Sequence, residues 1–464
     1  MRTRFSLLLA IAAISCMPLR AARAGDDWVQ FRGQGGQGVS DSTGLPLTWS
    51  ESENIAWKTP IPGKGWSSPV VLGNQIWLTT ALDDGHSLRA VCVDRQSGRI
   101  VYDTEVFQIE EPVHVNAKNS HASPTSAIEP GRLYVHFGTM GTACLSTETG
   151  KTLWTNQELK LDHAQGPGSS LILYGDLLIV TCDGMDVQYV IALDKHTGLP
   201  VWKTNRSGKP HDSVDRRKAF ATPAILPIKS QSENRRVEHP PRQGLSPFVE
   251  RAPSSDGREQ RGPVPLASGG SRIGSNDRDE LISPAANQVI AYNPATGDEL
   301  WKVRYDGYSN VPVPVYGDGL LFIGTGFDKA QLWAIRPGEH GDATGTNVAW
   351  KFTKEAPLDP TPVFVGHELY VVSDSGVATC LESKTGAALW RHRLGGSFSA
   401  SPLSADGRIY FFAESGDTTV IEPGRKYKEL AAHHLDGRIM ATPAIAGRAI
   451  ILRTDTHLYR IEGK

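Results

Sequence analysis

From residue 54 onward the chain falls into short runs in which apolar and polar positions alternate with the two-residue period of half-buried strands. Four kinds of run recur in a fixed order. The first is a short apolar strand introduced by Ser/Thr-Pro, as at Ser68-Pro69, Ser123-Pro124, Thr222-Pro223, Thr361-Pro362, Ser401-Pro402 and Thr442-Pro443. The second alternates, as in Gln75-Ile76-Trp77-Leu78-Thr79, Leu133-Tyr134-Val135-His136 and Glu368-Leu369-Tyr370-Val371-Val372. The third ends on Asp, Asn or Glu, as in Val190-Ile191-Ala192-Leu193-Asp194 and Val289-Ile290-Ala291-Tyr292-Asn293. A Thr-Gly turn then leads into a fourth strand that carries tryptophan four places on, as in Thr149-Gly150 with Trp154.

Four short strands repeating every 40–50 residues or so describe one blade of a β-propeller. First strands begin near residues 68, 123, 169, 222, 313, 361, 401 and 442. That predicts an all-β, eight-bladed β-propeller of four-stranded antiparallel blades. The last copy stops after its third strand. Its missing fourth strand stands at the other end, in Asn54-Ile55-Ala56-Trp57-Lys58-Thr59. The sequence therefore predicts a ring closed by an N-terminal strand that completes the last blade, leaving no exposed sheet edge at the seam.

Turn chemistry explains the repeated phrase. A tight reversal needs positive φ, which glycine adopts without a steric penalty. The Asp or Asn three residues before Thr can cap the turn with its side chain. Trp57, Trp154, Trp202, Trp301, Trp350 and Trp390 then fall within outer strands and are expected to wedge neighbouring blades together.

Composition adds compartment and excludes some partners. Arg2 and Arg4 precede an apolar run over 5–14, and Ala22-Arg23-Ala24 supplies a cleavage pattern, so residues 1–24 read as a signal peptide and 25–53 as a lead segment. A competing reading takes Ala13-Ile14-Ser15-Cys16 as a lipoprotein box with Cys16 acylated. Either way the expected location is periplasmic or otherwise exported. A formal net charge of −2 gives no basic face for nucleic acid. Cys92, Cys144 and Cys380 share one repeat position with Ala192, Ala291 and Ala334, so they read as buried free thiols in a slot for small side chains; Cys182 completes the mature set. Residues 227–279, with seven prolines and eight arginines, read as a disordered insertion between the first two strands of blade four.

The Asp-x-x-Thr-Gly-x-x-x-Trp pattern resembles the pyrroloquinoline-quinone (PQQ)-type propeller repeat, a family that includes quinoprotein alcohol dehydrogenases and the outer-membrane assembly factor BamB. The stretch Trp28-Val29-Gln30-Phe31-Arg32-Gly33 is similar to the openings of exported BamB-like proteins. Two functions follow from the resemblance. One is a non-enzymatic, cofactor-free scaffold that binds an envelope protein. The alternative is a PQQ- and Ca²⁺-dependent dehydrogenase. The resemblance implies a Cys-Cys pair for many such dehydrogenases, and this chain has no adjacent cysteines.

Candidate oxygen donors for calcium are Asp183, Asp186, Asp328, Asp374, Glu414 and Asp455, each placed after a second strand. Loops leading from each fourth strand to the next blade supply a second cluster. It comprises Lys64, Trp66, Lys118, Asn119, His121, His163, Gln165, Lys218, Asn310 and Arg438, expected to surround an axial funnel that binds a ligand or partner. His114, His121 and His163 lack metal-ligand spacing, so no metal site is expected. His433-His434 reads as a solvent-facing pair beside a blade linker. The protein is expected to be a monomer with no transmembrane segment.

Overall fold

A computed structural model describes residues 27–229, 277–338 and 340–463. Residues 1–24, expected to be a signal peptide, and all but the ends of the 227–279 insertion lie outside the described residues. The described chain forms eight sheets. Blade one comprises strands Val70–Leu72, Gln75–Leu82, Ser87–Asp94 and Ile100–Gln108. Six further blades follow in chain order, with first strands at Ala127–Glu129, Ile172–Tyr174, Ala224–Lys229, Val315–Gly317, Val363–Val365 and Leu403–Ala405. Blade eight takes three strands from residues 444–462, and its fourth is Ile55–Pro60, paired antiparallel with His457–Glu462. The predicted closure is present.

Apolar cores lie between blades. One packs Tyr134 and Cys144 of blade two against Leu178, Val180 and Leu193 of blade three. Another packs Phe322 and Leu332 of blade five against Leu369 and Val371 of blade six. At about 25 cal/mol per Å² of apolar surface removed from water, these interfaces supply the main favourable term of the fold.

The tryptophan phrase works across them. Indole Nε1–H of Trp154 donates to the Lys195 carbonyl of the next blade at 3.0 Å. Trp57, Trp202, Trp350 and Trp390 do the same to Arg95, Pro294, Ser383 and Gly424. Each of the first two rings also lies flat against the glycine of the neighbouring Thr-Gly turn or beside it. At Gly198, with φ +74°, a β-carbon would stand 2.5 Å from the Trp154 ring, and at Gly297, with φ +76°, 2.5 Å from Trp202. Glycine is thus required twice over, by the turn and by the ring laid on it.

In blades two to six the tryptophan faces a small slot, whereas Trp57 of blade eight faces Arg460. Cys144 pairs with Trp154, Ala192 with Trp202 and Cys380 with Trp390, each beside a register shift. All four described cysteines are buried and free. Trp154→Phe should lose the inter-blade hydrogen bond while keeping the ring, costing about 1 kcal/mol in a urea titration; an unchanged midpoint would argue against a docking role for the indole N–H.

Trp301 departs from the set. It is fully buried and donates to Glu280 of its own blade at 2.8 Å. Its outer side is covered by Gly341–Asp342, which adds a parallel fifth strand to blade four. Blade four also pairs to the ends of its ladder, Pro227 with Asp279 and Lys229 with Asp277, so regular strand reaches a few residues into the 227–279 bounds.

The lead segment crosses the end of the ring. Trp28 bridges Val71, and Val39 bridges Ser404. Trp49 stacks on His433 at 3.8 Å, and its backbone N–H donates to His433 Nδ1. His433 is therefore buried, contrary to the solvent-facing expectation, because the lead covers the outer strand of blade seven; His434 remains exposed.

Candidate functional site

A cavity of about 580 Å³ opens on the axis. Its walls carry Trp66, Phe220, Tyr308 and Phe327, and Phe31 of the lead segment also lines it. Among the residues expected around a funnel, Trp66, Lys118, Asn119, Gln165 and Lys218 line this cavity.

The remaining candidates are held elsewhere. Lys64 lies over the Trp66 ring, 5.6 Å from its centroid. A ring nitrogen of His121 bonds the Val113 carbonyl at 2.8 Å. His163 is buried and accepts the Thr139 backbone N–H at Nε2. Asn310 is fully buried and donates to Tyr305 Oη and the Gly324 carbonyl. Arg438 pairs with Glu414 at 3.1 Å. These side chains stitch loops together, which a loop position in sequence does not distinguish from lining a funnel.

The cations inside the cavity are balanced. Lys118 reaches Asp359 at 3.3 Å and Glu414 at 3.4 Å, joining the loop after blade one to blade seven and to the loop before blade six. Burial works against its charge, but the two carboxylates hold its pKa above the ordinary value. Lys218 is buried against Asp215. Asn119 and Gln165 hold one another's loops, with Asn119 Nδ2 donating to the Gln165 carbonyl. The cluster is electrically near neutral, not the cationic cup its composition suggested.

The six carboxylates considered for calcium do not converge. Asp183 forms a buried bridge to Arg206 at 2.6 Å, and Asp328 an exposed one to Arg216. Asp186 accepts the Asp162 N–H, and Asp455 accepts that of Arg438. Glu414 is shared between Lys118 and Arg438. Asp374 accepts N–H groups of Leu358 and Asp359, and burial followed by repulsion from Asp359 pushes its pKa up to about 6. Among the described residues no three His, Cys, Asp or Glu side chains are grouped to hold a metal. This donor set does not fit the six to eight oxygens calcium takes, and both lysines that line the cavity among the described residues are already paired with carboxylates.

Sequence reasoning passed over one feature of the cavity. Two residues before seven of the eight first strands stands a hydroxyl, Ser68, Thr125, Ser170, Thr222, Thr361, Ser401 and Thr442, all lining the cavity; blade five has Val313 there. Backbone N–H groups of one blade donate to the hydroxyl of the next, Ser68 to Thr125, Thr125 to Ser170 and Ser170 to Thr222 at 2.9 Å each. The series resumes from Val313 to Thr361, Thr361 to Ser401 and Ser401 to Thr442. The signal was present in the Ser/Thr-Pro dipeptides, read only as strand openings. In blade two that reading was out of register: the hydroxyl is Thr125, while Ser123 turns back to Asn119 and Ser120.

A family described as outer membrane protein assembly factor BamB matches residues 89–222 and 338–426. BamB of Shewanella oneidensis is 30% identical over 178 residues, covering 36% of this chain and 43% of that protein, so the chain spans less than half the length of this curated relative. The crystal structure of BamB from Moraxella catarrhalis has a TM-score of 0.54 at 12% identity, covering 88% of this chain and 97% of that one. Quinohemoprotein alcohol dehydrogenase ADHIIG from Pseudomonas putida HK5 has a TM-score of 0.51 at 10% identity, covering 95% and 81%. At those identities the structural likeness speaks to fold alone.

Proposed function

We propose that this eight-bladed propeller, whose repeats are similar to those of BamB, works in the cell envelope as a non-enzymatic binding scaffold for another protein. The observation that carries this reading is the state of the axial carboxylates and lysines, which are spent on one another and on loop N–H groups. A site so neutralised holds loops in shape and presents their outer surface; it does not present the converging charges of a metal-held cofactor. Export is supported by the arginine-led apolar run at residues 5–14. No helix among the described residues is long and apolar enough to cross a membrane. The partner is expected on the face bearing Lys118, Asn116 and Phe327, where exposed side chains surround the cavity mouth.

Two measurements test the proposal. Immobilised protein should capture an envelope protein reproducibly, and Lys118→Ala with Phe327→Ala should weaken that capture. Addition of PQQ and Ca²⁺ should yield no dye reduction with alcohols or sugars. Reconstituted turnover, or capture indifferent to both substitutions, overturns the scaffold reading.

A further inference from the structure

Hydroxyl groups offer one donor and two acceptor positions each. Six of the seven in the axial ring accept one backbone N–H: Thr125, Ser170, Thr222, Thr361, Ser401 and Thr442. Each keeps its O–H proton and one lone pair for whatever enters the cavity. The seventh, Ser68, is 2% exposed, and its Oγ has no hydrogen-bond partner. On the same side, Nε1–H of Trp66 is buried and also unpartnered. A buried polar atom without a partner costs about 1–3 kcal/mol. Both of these atoms are shut away from solvent even with the cavity open, so the groups left for a polar ligand are those of the half-used hydroxyls that line it.

The remaining lining narrows its chemistry. Lys118 and Lys218 are neutralised, and Asp215, Asp359 and Asp374 share the walls; an anion would meet carboxylates and no unpaired cation. An extended peptide pairs through backbone N–H and C=O groups of a strand edge. Here the N–H groups of Ser68, Thr125, Ser170, Thr361 and Ser401 are taken by neighbouring hydroxyls. The free groups both donate and accept, which matches a partner whose own groups do both. Trp66, Phe220, Tyr308 and Phe327 supply flat apolar walls around them. A molecule dense in hydroxyls yet apolar on its ring faces is a sugar. About 580 Å³ lies within the roughly 300–1,000 Å³ usual for small-molecule sites.

We propose that the axial cavity is a binding site for a neutral carbohydrate, a short oligosaccharide or the end of a glycan, stacked on Trp66 and hydrogen-bonded to the hydroxyl ring. This site shares its rim, Asn116, Lys118 and Phe327, with the face assigned to a protein partner, and the inference does not rest on that assignment.

The test uses the full exported chain and its tryptophan fluorescence, with maltotriose, cellotriose and chitotriose as probes and glucuronate and trialanine as contrasts. At least one neutral trisaccharide should bind saturably, with an affinity unchanged between low and high salt. Trp66→Ala should weaken it about tenfold, a difference near 1.4 kcal/mol, while leaving the capture of an envelope protein unaltered; Thr361→Val should weaken it similarly and, by removing the acceptor of the Val313 N–H, also lower the unfolding midpoint. Preference for glucuronate with strong salt dependence, preference for trialanine, or no response to any neutral trisaccharide overturns the proposal. Loss of protein capture with sugar binding intact bears on the scaffold reading alone.

Discussion

Replacing Arg32 by alanine is expected to lower stability by about 4 kcal/mol, among the largest effects of any single substitution in the molecule. Its guanidinium is fully buried and donates to four carbonyls: Gly36 and Gln37 of the lead segment, Pro362 of blade six and Pro402 of blade seven. All four of these partners are carbonyls and none is acidic, so burial pulls its pKa down to about 9, which still leaves it charged at neutral pH. Truncation would strand buried acceptors on three separate elements. Arg32→Lys should recover only part of the loss, since an ammonium lacks the planar fork that reaches carbonyls in several directions. Urea unfolding of the two variants measures this. A loss under about 1 kcal/mol for alanine would mean that solvent reaches those carbonyls and the lead segment is not fastened as described.

Acidification is the second large perturbation. His136 and His163 are buried, and burial lowers their pKa values from 6.5 to about 3 and about 4. Nε2 of His163 accepts a backbone N–H, whose direction cannot reverse, so this ring must stay unprotonated at that nitrogen. His136 Nδ1 lies 2.8 Å from the Thr142 hydroxyl, tying the second and third strands of blade two. Because both folded values lie below the unfolded one, the unfolded chain binds more protons as pH drops. The stability they contribute is complete above pH 6.5 and is lost as pH falls toward the folded values. Each site should cost about 2 kcal/mol by roughly pH 5, at 1.36 kcal/mol per unit. Asp374, raised to about 6, acts in the opposite direction, since its ionised form weakens the fold above that pH. His136→Asn with His163→Gln should therefore flatten the dependence of unfolding free energy on pH. Identical slopes for the two proteins would remove these imidazoles from the account.

Much of the architecture was legible because a propeller writes its blade plan repeatedly. The cross-strand slot of Cys or Ala opposite Trp154, Trp202, Trp301, Trp350 and Trp390, and the glycine beneath rings such as Trp154 and Trp202, are local constraints that leave marks in most copies; Trp57, which faces Arg460, is the exception. The incomplete last copy likewise pointed to the strand at residues 55–60. Trp301 shows the limit: its own repeat is regular, and only the longer turn of the following blade, folding Gly341–Asp342 back over it, changes its partner.

The cavity was half legible. Loop position places Trp66, Lys118, Asn119 and Lys218 along it, while Asn310 and His163 turn inward to satisfy backbone groups. Net charge in the cavity depends on ion pairs between residues far apart in sequence, such as Lys118 with Asp359, and no local pattern records them. The hydroxyl ring was in plain view in the Ser/Thr-Pro dipeptides, but its meaning is circular, each hydroxyl serving the blade before its own.

The seam between Ile55–Pro60 and His457–Glu462 also sets a timetable. During synthesis the strand that emerges first waits for the one that emerges last, and until then two sheet edges stand open at once. Intermediate blades can assemble from neighbours in sequence, whereas the final clasp is a contact of very high order and so a slow one. A cell making this protein must shield a nearly finished horseshoe for the interval before its ends meet.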